Sequence, residues 1–419
     1  MSISSTVITT IILITIISDY LLHTLADFLN ISKLQNTPPD SFKDLYDSDK
    51  YKKSQEYLKI NTLLGFVSST FFLIVTISFW FLKGFLILDN WARSFNLNPI
   101  ATGLLFIGTL LILKTILALP FSLYSTFIIE ENFGFNKTTW KTFIIDAIKG
   151  IILSTILVGI ILFAILSFFQ YAGANAWWQC WIAISVFMLA VQHIVPTWIM
   201  PLFNKFTPLE DGKLRDAIFS YAKSINFSLN NVFIMDGSKR SSKSNAFFTG
   251  FGKNKRIVLF DTLIAQHEVP ELVAVLAHEM GHFKKKHIIK MILSGIIQAG
   301  IMFYLLSIFL SCQGMFEAFF INKISIYAGL VFFGMLYSPI DFFTGIIIQK
   351  ISRNNEFEAD NFAVTTTNNP TALKDALKKL SVNNLSNLLP HPLFVILNYS
   401  HPPILERIET IDAIDNKIT

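Results

Sequence analysis

Apolar residues run through this chain in long unbroken stretches, and polar residues gather in the intervals between them. Crossing a hydrocarbon core takes roughly 20 apolar residues. Seven stretches qualify: 6–25, 61–82, 99–129, 143–169, 177–200, 288–311 and 324–349. The first has no basic residue before it and no small-residue cleavage site, and Asp19 interrupts its end, so it reads as a retained span. The third carries Lys114 and Pro120 and reads as a kinked helix that continues past the lipid. The polar segment 33–59, with Pro38, Pro39, Lys50, Lys52 and Lys53, reads as a solvated connector into the second span. Four parts follow: 1–200 with five spans and their loops, a wet piece at 201–287, two further spans in 288–350, and a second wet piece at 351–419.

Inside the wet pieces the period of the pattern changes. Leu272, Val275, Leu276 and Met280 recur at helical spacing, with Pro270 in the first turn and Glu268 and Glu271 near its positive end. Residues 231–263 read as short strands, NVFIM, SNAFF and RIVLF, separated by polar and Gly-containing turns. The expected fold is therefore mainly α and polytopic, with seven transmembrane helices and a water-facing domain that contains a small β-sheet.

Composition agrees with that reading. Of 419 residues, 52% are hydrophobic and 15% charged, which excludes a soluble globule and a disordered chain. Cys180 and Cys312 are the only cysteines and lie in or beside apolar stretches, so a disulfide scaffold is excluded as well. Basic residues divide sharply between the two faces. Segments 26–60, 130–142, 201–290 and 350–419 carry 6, 2, 14 and 7, while the opposite loops carry only Lys83, Arg93 and Lys323. The side rich in Lys and Arg is the cytosolic one. The net charge of +5 belongs to that face, and no nucleic-acid binding is read from it.

Residues 271–287, ELVAVLAHEMGHFKKKH, hold the strongest chemical signal. His278 and His282 are four apart, one turn along one helix face, as two ligands of one tetrahedral ion must be. Glu279 stands where a carboxylate serves a metal-activated water, which completes the zinc-hydrolase pattern H-E-x-x-H. A catalytic zinc takes three protein ligands and keeps a fourth position open. No other histidine repeats a ligand spacing, so a carboxylate is expected, and RNNEFEAD at 353–360 supplies candidates. Glu356 and Asp360, four apart, can face the zinc helix together, with Glu356 as ligand and Asp360 fixing the tautomer of a ligand histidine. Glu358 is expected to point elsewhere. His401 and Arg407 are candidates to hold a developing oxyanion. Asn245, Ala246 and Phe247 are candidate substrate contacts, on a strand that an extended peptide would join at its edge.

These motifs make the chain resemble the Ste24-type CAAX prenyl proteases, integral-membrane zinc metalloproteases of the M48 family. The likeness is carried by AHEMGH at 277–282, EFEAD at 356–360 and DGSKRSSKSNAFFTGFGKNKRIVLFDTLI at 236–264. HPPILERI at 401–408, ENFGFNK at 131–137 and PLFNKFTPL at 201–209 extend it over most of the chain. The resemblance implies one Zn²⁺ per chain on His278, His282 and Glu356, Glu279 as catalytic base, and a zincin-like cytosolic domain closing a chamber between seven helices. A water-filled chamber would account for Asp19, Lys114 and Lys149 within spans. The implied partners are the lipid bilayer and a peptide or protein substrate, prenylated at a C-terminal CaaX sequence. Two other readings stand beside it: a broad-specificity quality-control metalloprotease of the membrane, and a non-catalytic channel or receptor with a residual motif. Richness in Ile, Lys, Asn and Phe suggests an AT-rich genome and favours a bacterial inner membrane, with the endoplasmic reticulum as the other location.

Overall fold

The computed structural model describes residues 3–249 and 256–418. The stretch GFGKNK, part of the motif at 236–264, lies outside the described residues. The chain opens with α1 (Ser5–Ser32), α2 (Ser48–Phe81), the short α3 (Gly84–Ser94), α4 (Pro99–Tyr124), α5 (Trp140–Tyr171) and α6 (Ala176–Ile194). The first wet piece holds β1 (Phe206–Pro208), α7 (Lys213–Ser224), β2 (Asn231–Met235), β3 (Ala246–Thr249), β4 (Arg256–Phe260) and α8 (Val269–Lys284). The chain then returns through α9 (His287–Phe309) and α10 (Ile326–Thr367), and ends with α11 (Pro370–Asn383) and α12 (Ile404–Ile418).

Among the described residues, seven helices are long and apolar enough to cross a membrane: α1, α2, α4, α5, α6, α9 and α10. Each overlaps one of the seven apolar stretches, and several run well beyond it. Hydropathy registers only the part of a helix that meets lipid, whereas backbone hydrogen bonding carries the helix on into water. The extreme case is α10. Its 42 residues at about 1.5 Å each make roughly 63 Å, twice the roughly 30 Å of hydrocarbon. It therefore leaves the bilayer as a continuous helix and carries Glu356 and Asp360 into the water-facing domain.

That domain is organised around α8. Its start carries a capping box in which Glu268 and Glu271 each satisfy the other's backbone, with proline in the first turn. Leu272, Leu276 and Met280 pack with Ala363 and Val364 of α10, Leu373 of α11 and Ile411 of α12. Beside α8 lies a four-stranded sheet in the order β1-β2-β4-β3, with β2 and β4 parallel and the outer pairs antiparallel. β3 is an edge, in register Ala246 to Leu259 and Thr249 to Arg256 with β4. β1 is three residues ending in Pro208, too short to announce itself in the sequence.

The segment 33–59 departs from the solvated connector expected. Phe42, Tyr46 and Tyr51 are buried in the core of the water-facing domain, and α2 already begins at Ser48. Burying an aromatic ring of this kind contributes about 1.5–3 kcal/mol. The lysines between these rings hid their pattern.

Candidate metal centre

His278 and His282 occupy successive turns of α8, and Glu356 reaches them from α10. The two helices approach closely because Gly281 lies between the histidines. A Cβ at Gly281 would come within 3.2 Å of the Ala359 backbone and 3.1 Å of the Phe362 ring. The two Nε2 atoms are 3.1 Å apart. Glu356 brings Oε2 to 3.3 Å from the first and Oε1 to 3.2 Å from the second.

A tetrahedral ion with bonds of about 2.0–2.1 Å sets its ligands roughly 3.3 Å apart. The three donor groups thus already stand at the corners such an ion requires. Glu356 is buried, and among the described residues its Oε2 makes no well-formed hydrogen bond, its cationic neighbours being His278 Nε2 at 3.3 Å and Arg407 Nη1 at 3.7 Å. A buried carboxylate oxygen so thinly satisfied suits a cation. Donor chemistry and spacing both fit a divalent metal.

Behind the ligands lies a second layer. The His278 Nδ1–H donates to Asp360 Oδ1 at 2.8 Å, which turns Nε2 toward the metal position. Asp360 is fully buried and also accepts from Arg407, at 2.8 Å from Nε and 2.6 Å from Nη2. This bidentate grip occupies most of the guanidinium; Arg407 Nη1 lies 3.7 Å from Glu356. Burial disfavours a charge on His278, but the bond and charge of Asp360 outweigh it and push the pKa up to about 9. Its ligand nitrogen therefore keeps a proton that a metal must displace. Burial disfavours the charge on Arg407 too, and Asp360 more than restores it, raising the pKa above its ordinary value.

His282 is held from a side that the sequence did not signal. Its Nδ1 lies 3.0 Å from Nδ1 of His287, whose Nε2 lies 3.0 Å from Glu358. Glu358 does turn away from the metal position, as its place two residues from Glu356 implies, yet it anchors this second chain. His287 and Glu358 are 71 residues apart, and a histidine five beyond His282 matches no ligand spacing, so no sequence pattern joins them.

Glu279 is half-buried beside the ligands. Burial raises its pKa; His278 and His282 oppose this, Glu356 adds to it, and the net direction is upward. His401 is 65% exposed and places Nε2 3.5 Å from Glu356 Oε1. It lines a cavity of about 480 Å³ together with Asn245, Asn384, Tyr399 and Arg407. Asn245 is exposed at the start of β3, where its side chain accepts from the Ala246 N–H at 2.8 Å. Ala246 and Phe247 follow on the edge strand, half-buried, with Phe247 packed edge-on to Phe260. His278, Glu279, His282, Glu356, Asp360, His401 and Arg407 thus converge from three helices and one turn, with β3 alongside.

Residues 27–205 match the family described as CAAX prenyl protease N-terminal, five membrane helices, and residues 208–415 match Peptidase family M48. The CAAX prenyl protease 1 homolog of Arabidopsis thaliana is 37% identical over 412 residues, 95% of this chain and 96% of its own length. The CAAX prenyl protease 1 of Saccharomyces cerevisiae is 33% identical over 92% of this chain and 91% of its own. The crystal structure of S. mikatae Ste24p superposes with a TM-score of 0.92 at 33% identity, covering 97% of this chain and 99% of that one.

Proposed function

The chain belongs to peptidase family M48, and from that premise we propose that it is a zinc-dependent membrane endopeptidase that removes C-terminal residues from prenylated CaaX proteins. One observation carries the chemistry: two imidazole nitrogens and a carboxylate meet at tetrahedral spacing beyond the end of a bundle of seven membrane helices. The basic loops lie at that same end, which supports a cytosolic catalytic side.

Each nearby side chain then has a definite task. His278, His282 and Glu356 would hold the ion. A bound Zn²⁺ supplies Lewis acidity, polarising a carbonyl and lowering the pKa of water towards about 7. The Glu279 carboxylate takes the proton of the attacking water and delivers it to the leaving amine. The upward pull of burial on its pKa makes it a better proton acceptor than an ordinary glutamate. His401, at the mouth of the cavity, offers an imidazole to the developing oxyanion. Arg407 holds Asp360, and Asp360 holds His278 in the tautomer that can bind metal. The free edge of β3, preceded by Asn245, would receive an extended peptide through Ala246 and Phe247.

The test is cleavage by purified protein of a farnesylated CaaX peptide and its unprenylated twin, with Glu279→Gln as control. Cutting of the farnesylated peptide alone, lost in the variant, is the expected result. Equal cutting of both would replace the CaaX assignment with broad membrane proteolysis. Undiminished turnover in Glu279→Gln would refute the mechanism.

A further inference from the structure

The end of the helix bundle away from the metal centre has few charges to place. Lys83, Arg93 and Lys323 are the basic residues of its loops. Two of the three, Arg93 and Lys323, line a single cavity of about 660 Å³. Its walls come from the end of α3, the start of α4, the end of α5 and the start of α10, and among the described residues no acidic side chain lines it. That volume is the size of an ordinary small-ligand site.

Charge in the cavity is positive and incompletely used. Asp89, the nearest acid, is buried and already engaged, accepting from Arg93 Nε at 2.8 Å and from the Tyr327 hydroxyl at 2.6 Å. Arg93 Nη2 remains buried without a hydrogen-bond partner among the described residues, and so does Ser325 Oγ. Unmade bonds at buried donors are expensive, more so on a charged group. Lys323 is exposed. Two helices begin here as well. Ser325 precedes α10 without a side-chain cap, which leaves first-turn N–H groups of Ile326 and Tyr327 at the cavity wall. Pro99 and Ile100 open α4 on the same wall, where Asn98 already caps the Ala101 N–H at 2.9 Å, so this second helix adds the positive end of its dipole but few free donors. The rim is apolar, with Leu97 and Ile324 each about half exposed.

We propose that this cavity is a binding site for a phosphate group, presented by an anionic phospholipid headgroup of that leaflet or by a free phosphate ion. Arg93 and the uncapped first turn of α10 face the oxygens, Lys323 closes over them from the rim, and Leu97 and Ile324 meet acyl chains when the phosphate belongs to a lipid. The site lies at the opposite end of α10 from Glu356 and is separate from the peptidase chemistry.

The experiment uses the full-length protein purified in neutral detergent, with melting temperature followed during titration. One arm adds inorganic phosphate against chloride at matched ionic strength, and the other adds dihexanoyl phosphatidic acid. Arg93→Gln also breaks the pair with buried Asp89 and is expected to misfold, so the decisive variant is at exposed Lys323. At least one probe should raise the wild-type melting temperature. Lys323→Gln should weaken that probe's apparent affinity about tenfold, the size of a lost charged hydrogen bond. Lys83→Gln, on the same face but outside the cavity, should leave it unchanged. Stabilisation by inorganic phosphate assigns a free-ion site, and stabilisation by phosphatidic acid alone assigns a lipid site. If neither probe stabilises the wild type, or if Lys83→Gln weakens binding as much as Lys323→Gln, the site does not exist.

Discussion

Replacing Asp360 with asparagine keeps the shape of the side chain and removes its charge, at a position where three hydrogen bonds depend on that charge. Asp360 is fully buried and accepts from His278 Nδ1, Arg407 Nε and Arg407 Nη2 at 2.8, 2.8 and 2.6 Å. Asparagine leaves Arg407 as a buried cation facing an amide. Breaking a buried ion pair by removing one partner costs about 3–5 kcal/mol. One carbonyl oxygen survives in the amide, so the lower end of that range is expected. The metal centre should feel the change separately. A ligand histidine that loses its outer partner typically lowers metal affinity by about 10–100-fold. Chelator competition for zinc and thermal unfolding in detergent measure the two effects on one sample. Removing both charges, in Asp360→Asn with Arg407→Leu, should cost less stability than Asp360→Asn alone, because no buried cation is then stranded. Unchanged zinc affinity and melting temperature in Asp360→Asn would refute the assigned role, and strict additivity in the double variant would refute the pairing.

Three further outcomes follow from the same geometry. His287→Phe should reduce zinc affinity by about tenfold or more while leaving the fold intact, since His282 loses its outer partner; equal zinc binding by chelator competition contradicts this. Gly281→Ala should weaken zinc binding by pressing α8 away from α10, where the added Cβ meets the Ala359 backbone at 3.2 Å; in a zinc titration an unaltered affinity would show that the helices yield freely. In zinc-stripped protein the His278 pKa is raised from 6.5 to about 9, so its contribution to stability is complete below pH 6.5 and is lost as pH rises through 9. Zinc must displace that proton, so affinity should climb about tenfold per pH unit over this window and level off above it. A flat affinity from pH 7 to 9 would exclude the assignment.

The membrane-spanning helices were legible in the sequence because each depends on local composition: some twenty apolar residues cannot be placed elsewhere, whatever their neighbours. The geometry of His278, Glu279 and His282 was legible for the same reason, since a helical repeat relates residues four apart without reference to the rest of the chain. The capping box at Glu268 and Glu271 is equally local. Three strands could be read from their apolar runs, and β1 could not, because three residues carry no period.

Tertiary structure decided whatever depends on partners distant in sequence. Only the packing of α10 and α12 around α8 shows that Arg407, which also lines the cavity, grips Asp360 with two nitrogens. It alone makes His287 and Glu358 a support for His282, and it alone buries Phe42 and Tyr51 among lysines that had marked their segment as solvated. The close approach at Gly281 belongs to the same class. Periodicity along a chain reports which face a residue occupies on its own element. What lies opposite that face is set by the three-dimensional packing of segments up to hundreds of residues apart, and there the second layer of this metal centre is built.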